Sequence, residues 1–239
     1  MLLTAGAAAA QACRLEPLGT GTVRAFSDDA TLMLDDGRSV RLDGIDVGPV
    51  TQAAPLPPLA GQAVTLRGRS AAPDRYGRIR AFVFVDGKEA DGPVQYAMLS
   101  AGQARVSGRG LDKACLDALL ERERKARKAG LGIWSIPAYA VKRAEDAAGV
   151  QASRGRFALV EGRVLSVRES GGTIYVNFGR RWSEDFTVTI AKRNERIFTA
   201  AGLAPQRLER RQIRVRGFIE ERGGPWIELT GPEQIELIE

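Results

Sequence analysis

Two arginines and the acids around them define the chemistry within reach of this chain. The stretch Asp74-Arg75-Tyr76-Gly77-Arg78 follows a strand-like run, Ser39-Val40-Arg41-Leu42-Asp43-Gly44-Ile45-Asp46, that contributes another arginine and another acid. Two guanidiniums can grip a phosphate through paired charge-assisted hydrogen bonds and neutralise the charge that builds up when it is attacked. Nearby carboxylates could hold a divalent cation that does the same from the opposite side. A single Arg or Asp on a surface strand is usually just solvated, so the combination carries the signal. The competing explanation is structural: Arg41 and Arg78 repel each other unless a carboxylate pairs with them, and Asp46 or Asp29 would then be a plain ion-pair partner.

The elements that must position these side chains are strands. From Gly21 to Val85 short β-rich runs alternate with Asp-Gly turns at Asp35-Asp36-Gly37 and Asp86-Gly87. The segments 64–67 and 79–85 alternate or run apolar, as half-buried and fully buried strands do. Five strands of this kind predict the small closed barrel of an OB-fold. Strict alternation would send Arg41 and Asp46 to opposite faces, so a shared site demands a bulge, best placed at Gly44. Two helices are expected next, over 94–101 and 111–129. In the second, Cys115, Leu116, Leu119, Leu120 and Ala126 form an apolar stripe and Gly130 supplies the C-terminal stop. The charged run 121–128 alternates Glu with Arg and Lys and reads as a solvated face whose basic end suits the helix dipole.

With these motifs in order, the chain resembles the staphylococcal nuclease (thermonuclease) family over residues 21–134. Val23-Arg24-Ala25-Phe26-Ser27-Asp28-Asp29-Ala30 stands where that family has its first acidic turn. Val40 to Asp46 matches its arginine strand, Asp74 to Arg78 its second arginine loop, and Ala129-Gly130-Leu131-Gly132-Ile133-Trp134 its closing segment. The resemblance implies that Arg41 and Arg78 bind phosphate and that Asp29 and Asp46 ligate calcium, with Asp28 as the alternative to Asp29. It also implies calcium-assisted in-line attack of water on a DNA or RNA phosphodiester. One departure bears on that activity. Where the family carries a glutamate that activates the water, this chain reads Asp46-Val47-Gly48-Pro49-Val50, and no Asp, Glu or His follows before Asp74. Loss of a positioned base typically removes about 10²–10⁴-fold in rate. The segment 51–59 then carries three prolines in four positions where the family has a helix. A nuclease-like protein with reduced or lost hydrolysis is expected, its calcium bound weakly; a non-catalytic nucleic-acid- or protein-binding module is the alternative.

Beyond a helix or linker at 137–154, the chain reads as three strands, a helix and two strands, an order that predicts a second OB-like β-barrel over 155–239. The fold class expected is therefore α+β, mainly β with helices, with the nuclease-like domain at 13–136. Tyr175, Phe178, Arg180, Arg181, Trp182, Phe186, Arg214, Arg216, Phe218 and Trp226 interleave aromatics with arginines, which suits single-stranded nucleic acid. Filling a small barrel core calls for aromatics too. Tyr175, Arg181 and Trp182 are the best candidates for binding, because Gly179-Arg180-Arg181-Trp182 is a loop without an evident core duty.

Composition narrows the classes. Of 239 residues, 35 are Lys or Arg and 29 Asp or Glu, a formal charge of +6 that makes nucleic acid or an anionic surface a plausible partner. Histidine is absent, which excludes a Ser-His-Asp triad, a Cys-His pair and any His-ligated zinc. Residues 1–12 are apolar and small, ending Ala-x-Ala before Cys13, and read as the tail of a secretory signal peptide whose charged start lies upstream; a low-complexity terminus is the other reading. A periplasmic or secreted location follows from the first. Cys13 and Cys115 are then the only pair available for a disulfide, whose loop of about a hundred residues corresponds to roughly 4–5 kcal/mol of chain entropy. Two unrelated buried thiols, or a lipid-modified Cys13, stay open. No segment has the length and hydropathy to span a bilayer.

Overall fold

The structure is a computed structural model that describes residues 13, 15–27, 30–47, 57–108, 110–181 and 183–238. It divides into two compact units, residues 1–137 and 138–239, each with its own core.

In the first unit, β1 (Glu16–Phe26), β2 (Thr31–Leu34), β3 (Ser39–Leu42), β5 (Ala63–Gly68) and β6 (Arg78–Val85) close into a barrel of order β1-β2-β3-β6-β5. All neighbours are antiparallel except β3 and β6, which run parallel. Alternation explains the core: Leu32 and Leu34, Val40 and Leu42, Val64 and Leu66, Ala81 and Val83 are buried, Met33, Arg41 and Thr65 between them are half-buried, and Phe82 is the exception, buried on the other face of β6. The long β1 serves both β2 and β5 by bending at two register shifts, one between Pro17 and Gly19 and one between Val23 and Ala25.

Two strands leave the barrel. A two-residue turn at Asp43-Gly44 ends β3, and the chain continues as β4 (Ile45–Val47), which pairs antiparallel with β7 (Ala104–Val106) in a separate two-stranded sheet. The expected bulge at Gly44 is thus a full exit from the barrel. Gly44 takes φ +79°, and a Cβ there would lie 2.9 Å from the side chains of Leu111 and Leu119.

The helices are α1 (Val94–Ser100) and α2 (Lys113–Lys128). Asp112 caps α2 by accepting from the Cys115 N–H at 2.8 Å, and Gly130, at φ +64°, follows its end. Cys115, Leu119, Leu120 and Ala126 are buried as the stripe predicts, with Leu116 packed at its edge. Glu123 departs from the solvated-face expectation. It is fully buried, accepting the Val106 N–H at 2.6 Å and pairing with Arg127 at 3.0 Å, so it holds β7 against the helix.

The second unit includes the stretch expected to be a linker. β8 (Lys142–Arg143) pairs with β9 (Phe157–Arg163), and α3 (Ala147–Gln151) buries Val150 in the core. β10 (Ser166–Ser170), β11 (Thr173–Asn177) and β12 (Thr187–Ala191) form a meander. After α4 (Glu195–Ala200) come β13 (Gln212–Phe218), β14 (Glu220–Arg222), β15 (Gly224–Leu229) and β16 (Ile235–Leu237). The pairings give a sheet β10-β11-β12-β15-β14 and a sheet β16-β13-β9-β8. Chain bends at 164–165 and at Ile219 carry β9 into β10 and β13 into β14, from one sheet to the other. Among the described residues no helix is long and apolar enough to cross a membrane.

Candidate anion site on the first barrel

Arg41 lies in β3 and Arg78 opens β6. In the parallel register Ser39 stands opposite Arg78 and Arg41 opposite Arg80. Two-residue spacing keeps Ser39 and Arg41 on one face of β3 and Arg78 and Arg80 on one face of β6, the face opposite the core residues Val40 and Ala81. Adjacent strands lie about 4.8 Å apart and residues advance about 3.3 Å, so the two predicted arginines are diagonal neighbours on one outer surface. They do not diverge around the barrel.

Local chemistry orients each guanidinium. The Asp74 carboxylate accepts the backbone N–H groups of Tyr76 at 2.9 Å and Arg78 at 3.0 Å, which folds the loop back at Gly77. Its other oxygen accepts Nε and Nη2 of Arg78, at 3.0 and 2.9 Å. The Tyr76 ring lies under Arg78, 5.0 Å from ring centre to guanidinium carbon, and under Arg75 at 4.7 Å. Partial burial pushes the Asp74 carboxyl up, but the N–H groups and guanidinium of Arg78, with the Tyr76 N–H, outweigh it and hold the pKa below its ordinary 3.8. A carboxylate so stabilised is a poor proton acceptor.

Sequence reasoning did not single out three further participants. Asp43, in the exit turn, is buried and accepts Nε and Nη2 of Arg80 at 3.0 and 2.5 Å, with Arg69 at 3.5 Å. Gln95, fully buried on α1, donates to the backbone carbonyls of Asp43 at 3.3 Å and Ala81 at 2.9 Å, fixing the turn against β6. Three guanidiniums, of Arg69, Arg78 and Arg80, thereby engage two carboxylates, Asp43 and Asp74, and Arg41 stands opposite Arg80 in the register. The alternation in β6 already placed Arg80 beside Arg78; nothing local signalled Asp43 or Gln95.

The third participant, Arg105, bears on the metal. Asp46, the expected calcium ligand in β4, stands opposite Arg105 of β7 and accepts its Nη2 at 2.7 Å. Arg105 is buried. An ion at Asp46 would have to displace a desolvated guanidinium, and calcium wants six to eight oxygens. The second expected ligand, Asp29, and its alternative Asp28 lie outside the described residues, as do Gly48 to Leu56, where the water-activating acid and its helix were expected to be lost. Among the described residues the one group of three that could gather on a metal is Cys13, Asp112 and Cys115, and both cysteines there are in a disulfide. Asp43, Asp46 and Asp74 are each engaged by a guanidinium.

Cys13 and Cys115 are joined, with Cα atoms 4.7 Å apart, tying the start of the described chain to α2. In the second unit Tyr175 is exposed on β11. Arg181 is held by Glu184 at 3.0 Å, and its N–H by Asp185 at 2.7 Å. Trp182 is outside the described residues. Of the other aromatics and arginines, Phe178 and Phe186 pack together in the core at 5.1 Å, and Arg214 and the wholly buried Arg216 pair with Glu161 and Glu236, which removes them from any ligand surface.

Comparison with curated proteins finds no match. A family model does match, that of staphylococcal nuclease homologues, over residues 59–136, a span that contains Arg78, Arg105 and α2 and begins after Arg41 and Asp46. The closed five-stranded barrel and this match together make the first unit similar to staphylococcal nuclease homologues.

Proposed function

We propose that the first unit binds nucleic-acid phosphodiesters through Arg41 and Arg78, and that hydrolysis there is reduced or lost. The observation that carries this reading is the β3–β6 register, which sets both arginines on one outer face, two positions apart. A phosphate laid there would meet two guanidiniums already oriented, Arg78 by Asp74 and its neighbour Arg80 by Asp43. Reduced hydrolysis rests on the sequence: Pro49 occupies the place of the general base. The Arg105–Asp46 pair supports it further, because it engages the carboxylate that a metal would need. Binding without help from an ion is the consistent outcome. The disulfide supports an exported location, since such bridges persist in oxidising compartments.

Fluorescence anisotropy with a labelled single-stranded oligonucleotide, across a salt series, tests the arginine pair. Arg41→Gln/Arg78→Gln should weaken binding and flatten the dependence of log K on log salt by roughly 0.7 for each phosphate no longer neutralised. Binding should survive EDTA, and calcium titrated into the same substrate should give little cleavage. Vigorous calcium-dependent cleavage abolished by Arg78→Ala would sink the reduced-activity part. An unchanged salt slope in the double variant would leave the arginines as an ion-pair network.

A further inference from the structure

The outer face of the β10-β11-β12-β15-β14 sheet has a relief that its core-filling role does not require. Register aligns Arg168, Tyr175, Thr189 and Glu228 in one row and Ser166, Asn177, Thr187 and Trp226 in the next. The alternate residues Ile174, Val176, Val188, Ile190 and Ile227 face the core and are wholly buried. Tyr175, 36% exposed, stands as a ridge between two hollows. On one side is a cleft of about 710 Å³ lined by Leu165, Ser166, Arg168, Tyr175, Asn177 and Arg180. On the other is a depression of about 180 Å³ lined by Tyr175, Thr187, Thr189, Arg222 and Trp226. Each hollow therefore has one wall in common, a flat phenol.

Charge follows the same relief. Arg168, Arg180 and Arg222 line the hollows, and no carboxylate among the described residues pairs with any of them. Arg222 instead lies over the Trp226 ring at 4.1 Å. By contrast Arg181, the loop residue that the sequence favours, is neutralised by Glu184. Glu228, at the end of the Tyr175 row, and Glu220, opposite Trp226 on β14, are the acids of these two rows.

We propose that this face is a binding site for single-stranded nucleic acid, with bases seated on either side of Tyr175 and phosphates on Arg168, Arg180 and Arg222. A planar ridge between two hollows suits successive unpaired bases, and the basic track suits the phosphates that join them. A duplex, whose bases are stacked inside, offers nothing to the ridge. The larger cleft falls within the roughly 300–1,000 Å³ of organic-ligand pockets. This site is built from residues of the second unit alone.

The test uses the full chain carrying Arg41→Gln/Arg78→Gln, which silences the first barrel, and a labelled 12-mer in three forms: oligothymidylate, oligouridylate and an abasic chain of the same charge. Base-bearing chains should bind at least tenfold more tightly than the abasic chain, and the preference between the first two tells DNA from RNA. Tyr175→Leu should remove that advantage without altering the salt slope, whereas Tyr175→Phe keeps it. Arg168→Gln/Arg180→Gln should lower the slope by about 1.4, at roughly 0.7 per phosphate. Equal binding of base-bearing and abasic chains overturns the proposal, as does inorganic polyphosphate of matched charge competing as well as oligothymidylate. The comparison of oligonucleotides needs no substitution at Tyr175, so a folding defect in the leucine variant leaves it intact.

Discussion

Asp74 couples the loop that carries Arg78 to pH. Its carboxyl titrates below 3.8 in the folded chain, the net of burial raising it and the Arg78 and Tyr76 hydrogen bonds lowering it further. A depressed folded-state pKa contributes stability that is complete above the unfolded value and disappears as pH falls through the folded one. The loop that presents Arg78 should therefore be intact at neutral pH and released only in acid. Compared by urea denaturation, Asp74→Asn should be less stable than the parent at pH 7, and the gap should narrow as the pH falls below the ordinary carboxylate range. A gap that persists at low pH would place the role of Asp74 in its shape instead of its charge.

At the scale of elements, the turn that ends β3 governs where the acids go. Gly44 combines φ +79° with leucine methyls 2.9 Å from where a Cβ would sit. Gly44→Ala should cost about 1–3 kcal/mol, from left-handed strain and the displaced side chains together, read as a lowered urea midpoint with an unchanged slope. The same turn shows how far the sequence could be read. Alternation and Asp-Gly turns marked out the barrel strands, because each signal is confined to a few neighbouring residues. The strand-like run around Arg41 and the loop reading of Asp74 to Arg78, just ahead of the strand expected at 79–85, located both arginines, and the β3–β6 pairing then made them neighbours. Alternation also showed that Arg41 and Asp46 could not share a face along one strand. It could not show that β4 leaves the barrel for β7, because that pairing joins residues 59 apart in the chain. Arg105, Asp43 and the buried Glu123 escaped for the same reason: each takes its meaning from a distant partner. In the second half, β8 looked like linker because a two-residue strand carries no period.

On the scale of the whole molecule, two units with separate cores need not share their stability. The Cys13–Cys115 bridge lies wholly within the first, so its removal should be felt there. By chain entropy it is worth roughly 4–5 kcal/mol. Hydrogen exchange read peptide by peptide should show reduction accelerating exchange across β1 and α2 and leaving the strands from β9 to β16 unchanged. Equal acceleration in both halves would show that the units unfold together. The bridge also has a consequence for biogenesis. Its partners are 102 positions apart, with all the barrel strands between them. During synthesis the first thiol must wait for the second through the making of an entire barrel. With two cysteines in the chain, it has no other thiol of its own to mispair with in the meantime. Correct oxidation thus needs no shuffling of wrong bonds, and the hazard in that interval is a thiol belonging to another molecule.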